Sequence, residues 1–101
     1  MSNNFDTAIA SELIAPTVER LRALPYSELK EKVTRGDIET GDIKAPNGES
    51  YQFELLFYWD DGPEGNVRVI ASIFMNPRGP NVNDSFIKAS DGSFVGENNA
   101  T

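Results

Sequence analysis

Cysteine and histidine are both absent from the 101 residues of this chain. Without cysteine there is no disulfide, no thiolate nucleophile, no zinc–thiolate site and no iron–sulfur cluster. Without histidine the chain lacks the commonest general base, the usual partner of a serine or cysteine nucleophile, and the commonest transition-metal ligand. Catalysis, a cofactor and a metal are therefore not expected. Long hydrophobic runs are missing too. The longest, Leu55–Trp59, falls far short of the ~20 residues that cross a bilayer. The first residues, Met1 to Asp6, show no charged region followed by an apolar one, so no secretion signal is expected and the cytoplasm is the expected compartment.

Positive charge is also scarce. Nine basic residues stand against sixteen acidic ones, a formal net charge of −7. Residues 1–44 hold eight acids and six bases, whereas residues 45–101 hold eight acids and three bases. A field of this sign repels phosphate backbones and anionic lipid, so neither a nucleic-acid partner nor a membrane partner is expected. It suits a basic protein partner, and it also serves plain solubility. No Gly-rich phosphate loop, nucleophile elbow or metalloprotease motif is present.

What is present centres on Tyr51–Met75. Two apolar runs, Tyr51–Trp59 and Val67–Met75, are rich in the aromatic and β-branched residues that fit a pleated surface. Residues 60–66 between them carry two Gly, one Pro and three carboxylates, a turn that continues neither strand. An antiparallel hairpin follows. Successive strand side chains alternate in direction, so Tyr51, Phe53, Leu55, Phe57 and Trp59 share one face with Val67, Val69, Ala71, Ile73 and Met75. That face is the expected core. The other holds Gln52, Glu54, Leu56 and Tyr58 with Arg68, Ile70, Ser72 and Phe74.

Leu56, Tyr58, Ile70 and Phe74 are too apolar for a purely solvated surface. Either residues 76–97 or another loop fold over them, or they form an interaction surface for a protein partner, a second copy or a ligand, because soluble monomers rarely leave large apolar patches bare. Glu54 and Arg68 share this face and are expected to pair across the strands. Asp60, Asp61 and Glu64 form a candidate acidic loop. Carboxylates are the hard ligands that calcium and magnesium prefer, but their spacing departs from the EF-hand pattern, and a solvated turn is the expectation. Trp59 reads as a core aromatic capping the hairpin, and Arg78 as an isolated cation in a Pro/Gly loop.

The first third reads as helical. Asp6 is a candidate N-cap, and Ile9, Leu13, Ile14, Val18 and Leu21 recur at helical spacing. Pro16 predicts a kink or a fresh start, since its ring presses on the carbonyl four residues back. Pro25 ends the helix. Ser27 is the expected cap of a second, and Gly36 its left-handed stop. A polar edge strand over 38–45 and an Asn47-Gly48 turn complete a β-meander with the hairpin. Residues 76–83 read as loop. Residues 85–88 fit a short strand or a helical turn, and Phe94-Val95 an apolar tether. The expected fold is α+β: an N-terminal helical pair packed on an antiparallel meander of three or four strands. It forms a single domain with an ordered body from about residue 5 to about 97.

The set Phe57-Tyr58-Trp59-Asp60-Asp61, Val67–Ile73, Ser85-Phe86-Ile87 and Asp91–Glu97 resembles a type of small, uncharacterised bacterial α+β protein. The resemblance spans residues 50–97 and implies a fold, with no catalytic role attached. In general style the chain is also similar to the immunity proteins that neutralise bacterial toxins, which would make it an inhibitor of a basic toxin. A small ligand-binding protein or enzyme relying on Glu54 or Asp60 is the third expectation.

Overall fold

A computed structural model describes residues 5–97. The expected frayed ends lie outside that range. Two helices, α1 (Thr7–Arg22) and α2 (Tyr26–Arg35), precede four strands, β1 (Ile38–Lys44), β2 (Ser50–Trp59), β3 (Val67–Phe74) and β4 (Asn81–Lys88). The strands pair antiparallel in chain order, β1-β2-β3-β4. The molecule is thus α+β, a helical pair on a four-stranded meander. No helix among the described residues is long and apolar enough to cross a membrane.

The helix N-terminus follows the sequence. Asp6 Oδ1 accepts from the Ile9 amide at 3.0 Å, satisfying one orphan donor of the first turn. Pro16 does not restart α1, which runs through it as one helix. Pro16 lies on the exposed flank, so the carbonyl it strands faces water, while Ala10, Ile14, Val18 and Leu21 stay buried. The second cap differs from expectation. α2 begins at Tyr26, with Pro25 rather than Ser27 in the cap position. The Pro25 carbonyl already accepts from Glu28 and Leu29 amides, and early entry lets the Tyr26 hydroxyl donate to the Gly65 carbonyl at 2.6 Å. Gly36, at φ 72°, ends the helix in the left-handed conformation.

Both helices cover one face of the sheet, α1 over β3 and β4, α2 over β2 and β3. Beneath them lie Tyr51, Leu55, Phe57, Val67, Val69, Ala71, Ile73 and Phe86, all buried. Phe53 and Met75 pack at the margin of this core. Phe53 lies over Gly41 of the neighbouring strand, where an added Cβ would stand 2.7 Å from its ring. Glycine there leaves room for the aromatic.

The C-terminal third departs most from the sequence reading. Residues 81–83 join residues 84–88 in a full eight-residue strand, with Val82 opposite Ile73 and Phe86 opposite Val69. Asparagine has little intrinsic preference for strands; the free edge of β3 supplies the backbone partners that override it. Residues 76–97 therefore do not fold over the second sheet face. β4 lies beside β3, and residues after it turn to the helical side, where Phe94 bridges Lys88 and meets Phe86 edge-on at 5.7 Å between centroids. Apolar aromatics go where a core already excludes water.

Candidate functional site: the open sheet face

Among the described residues no element covers the face turned away from the helices, and its register divides it. Ile38, Leu56, Ile70 and Ser85 stand in one row across the four strands. Tyr58, Arg68 and Ile87 form the row beside it. Together these make an apolar end in which Ile38 is 63% and Tyr58 47% exposed. A depression of about 320 Å³ adjoins it, between Val33 and Asp37 of the helical side and Leu56 and Tyr58 of the sheet.

On the other side of the Ile38 row come Thr40, Glu54, Ser72 and Asn83, then Asp42, Gln52, Phe74 and Asn81. Leu56, Tyr58 and Ile70 are thus brought together, whereas Phe74 is set apart by a polar row. The sequence indicated the four residues but not this break, because it gives each strand's alternation without the register between strands. Ile38 and Ile87 were missed as members of the apolar end. Ile38 lies in a segment whose interleaved charges give it no dominant apolar face, and residues 85–88 by themselves fit a strand or a helical turn alike.

Glu54 and Arg68 do not pair. Glu54 stands opposite Ser72, and Tyr58 opposite Arg68. Four residues along a strand put Glu54 roughly 13 Å from the position facing Arg68. The guanidinium turns instead to Asp60 Oδ1, at 3.0 Å from Nε and 2.7 Å from Nη2. Glu54 is half-buried and makes no ion pair or side-chain hydrogen bond with the described residues.

The 60–66 turn uses its carboxylates separately. Asp60 holds Arg68. Asp61 Oδ1 accepts from the Asn66 amide at 2.8 Å, and a Cβ at Gly65 would fall 2.1 Å from that same oxygen. Glycine is needed there to let the carboxylate cap the turn. Glu64 reaches Lys30 of α2 at 2.5 Å and holds that ammonium above its ordinary pKa through the hydrogen bond. No group of three or more acidic side chains gathers to hold a metal among the described residues. Trp59 points to the helical side and packs on the core, and Arg78 is exposed in the β3–β4 turn.

A second set of charges fastens the C-terminal segment. Arg22 Nη1 and Nη2 each donate to Glu97 at 2.7 Å, with the guanidinium 3.9 Å from the Phe94 centroid. The bidentate pair raises Arg22 and lowers Glu97 from their ordinary pKa values, chiefly through the shared hydrogen bonds. Lys88, 7% exposed, donates from Nζ to the Arg22 and Leu24 carbonyls at 2.8 Å each. A buried ammonium thereby caps the negative end of α1. Nothing in the sequence near Lys88 signals this, since its partners lie more than sixty residues away.

The chain matches no protein-family model, no curated protein and no solved structure.

Proposed function

We propose that this chain is a non-catalytic protein-interaction module, working through the apolar end of its open sheet face. One observation carries the reading: Ile38, Leu56, Tyr58, Ile70 and Ile87 lie in two adjacent rows with no element among the described residues above them. Burying apolar side chains is the main source of association energy, and here Ile38 and Tyr58 stay exposed while Leu56, Ile70 and Ile87 are only partly buried. Charge supports the same surface. In the apolar end the charge of Arg68 is already met by Asp60. A partner of either sign can approach it without strong repulsion.

Size sets the class of complex. Four strands ~4.8 Å apart and eight residues at ~3.3 Å make a face on the order of 500 Å², of which the apolar end is roughly half. Such an area belongs to weak, transient association rather than an obligate dimer. Inhibition of a basic toxin through the 60–64 loop has less support, because Asp60, Asp61 and Glu64 are each engaged within the fold. An enzyme built on Glu54 would need a second acid across a cleft, and Glu54 stands on an open sheet.

Light scattering over a concentration series, paired with Leu56→Asp and Ile70→Asp, tests the reading. Association with itself or with a purified partner is expected to vanish in both variants while circular dichroism stays unchanged. A strict monomer whose Leu56→Asp variant keeps its partner intact would remove the proposal.

A further inference from the structure

The other half of the open face has a different chemistry. Phe74 is half-buried there and borders two adjoining depressions of about 370 and 450 Å³. Glu54 borders both as well. The remaining positions of the two rows are occupied by hydroxyl, amide and carboxylate side chains, with Gln52 and Asn81 directly opposite Phe74 on either side. Ser72 Oγ donates to Asn83 Oδ1 at 2.6 Å, leaving the Asn83 amide nitrogen free to donate outward. The side chains of Thr40, Asp42, Gln52, Glu54 and Asn81 make no hydrogen bond or ion pair with the described residues. Pro77, in the turn after β3, borders the far side of the larger depression.

We propose that this polar half is a carbohydrate-binding surface, with Phe74 as its stacking platform and Glu54, Gln52 and Asn83 as its hydrogen-bonding rim. The chemistry of the surroundings selects the ligand. An aromatic face is electron-rich and attracts the C–H bonds that line one side of a sugar ring. Sugar hydroxyls both donate and accept. Carboxylates answer the donors, and amides answer donors and acceptors alike. Phosphate-bearing ligands are disfavoured, because Asp42 and Glu54 stand in the same two rows with no basic side chain among them. The flat, open shape suits an oligomer laid along the sheet more than an enclosed monomer. The site is separate from the apolar end and stands or falls independently of the protein-interaction reading.

The test is titration of ¹⁵N-labelled protein with maltohexaose, cellohexaose and chitohexaose, neutral oligomers that differ in linkage and in the 2-substituent. With at least one of them, saturable shifts are expected at the amides of residues 40–42, 52–54, 72–74 and 81–83. The amides around Leu56 and Ile87 stay in place. Phe74→Ala weakens binding by roughly tenfold or more, Glu54→Gln weakens it less, and Leu56→Asp leaves it unchanged. Phe74 is half-buried, so the exposed Asn83→Ala serves as a second variant that removes a rim contact without touching the core. Three results would overturn the proposal. One is the absence of a saturable shift with all three oligomers up to their solubility limits. Another is a shift that survives Phe74→Ala, Glu54→Gln and Asn83→Ala alike. The last is a shift of these amides by adenosine and by none of the oligomers, which would assign the surface to a flat base.

Discussion

Leu55 and Leu56 are consecutive on β2, yet they belong to different halves of the molecule. Leu55 is 1% exposed beneath the helices, and Leu56 stands on the bare face beside Ile38 and Ile70. The same contrast runs along β3, where Val69, Ala71 and Ile73 are buried while Ile70 and Phe74 are only half so. Both faces are apolar enough to attract cover. Among the described residues only one receives it, because their two helices are both tethered to the same side, α1 by Tyr51 and Lys88 and α2 by Leu29 and Tyr26. The covered face shows what folding consumed. The open face shows what folding left uncovered.

The sharpest way to break the comparison is to truncate the two leucines separately. Leu55→Ala removes a buried side chain from a packed layer and is expected to cost about 2–5 kcal/mol in urea unfolding. Leu56→Ala should cost less than about 1 kcal/mol, since its side chain keeps part of its water in the folded state. Equal losses at the two positions would mean that the open face is covered in solution.

Next in size is Lys88→Met, which keeps the aliphatic stem and deletes the ammonium that caps α1. Loss of two hydrogen bonds from a charged donor is expected to lower stability by about 1.5–3 kcal/mol, read by thermal melting. Fraying should concentrate at the α1 C-terminus in hydrogen exchange. A neutral outcome would show that the cap is dispensable and that α1 is held by its apolar stripe alone.

Gly41→Ala probes the margin between the faces. The new Cβ meets the outer atoms of the Phe53 ring at 2.7 Å, so the ring must rotate away. A loss of about 1 kcal/mol is expected, with Phe53 fluorescence-silent but its ring shifts moved in NMR.

The smallest effect is on the strap formed by Arg22 and Glu97. Glu97 has its pKa lowered in the fold by the Arg22 hydrogen bonds, so its contribution is complete above its ordinary value of 4.5. It fades as pH falls below that value and the carboxylate takes up its proton. The protection factors of the amides of residues 89–97, taken against the intrinsic exchange rate at each pH, should therefore fall on acidification while the core stays protected. Glu97→Gln should show the raised exchange already at neutral pH.

Much of the fold was legible in the chain. The alternation of Tyr51–Trp59 and Val67–Met75 assigned the core face residue by residue, and Asp6 and Gly36 marked helix ends through local chemistry. The acidic loop was legible as a turn but not as a set of three separate contacts. Asp60, Asp61 and Glu64 find Arg68, the Asn66 amide and Lys30, and only the first two partners lie nearby in sequence. Ser27 misled because its local capping preference was outweighed by the entry of α2 at Tyr26, and of the two readings of Pro16 the fresh start did not occur.

Sequence by itself determined which side chains avoid water and the period at which they recur, since both are properties of the residues and of backbone geometry. From these came the α+β class, the helical pair and the central hairpin. Tertiary structure alone decided the inter-strand register, the place of β4 and the side to which residues 89–97 return. It thereby decided that one apolar face stays open and that a polar row divides it. Register depends on which backbone groups meet across strands distant in the chain. Alternation within each strand is the same for every register that keeps its faces.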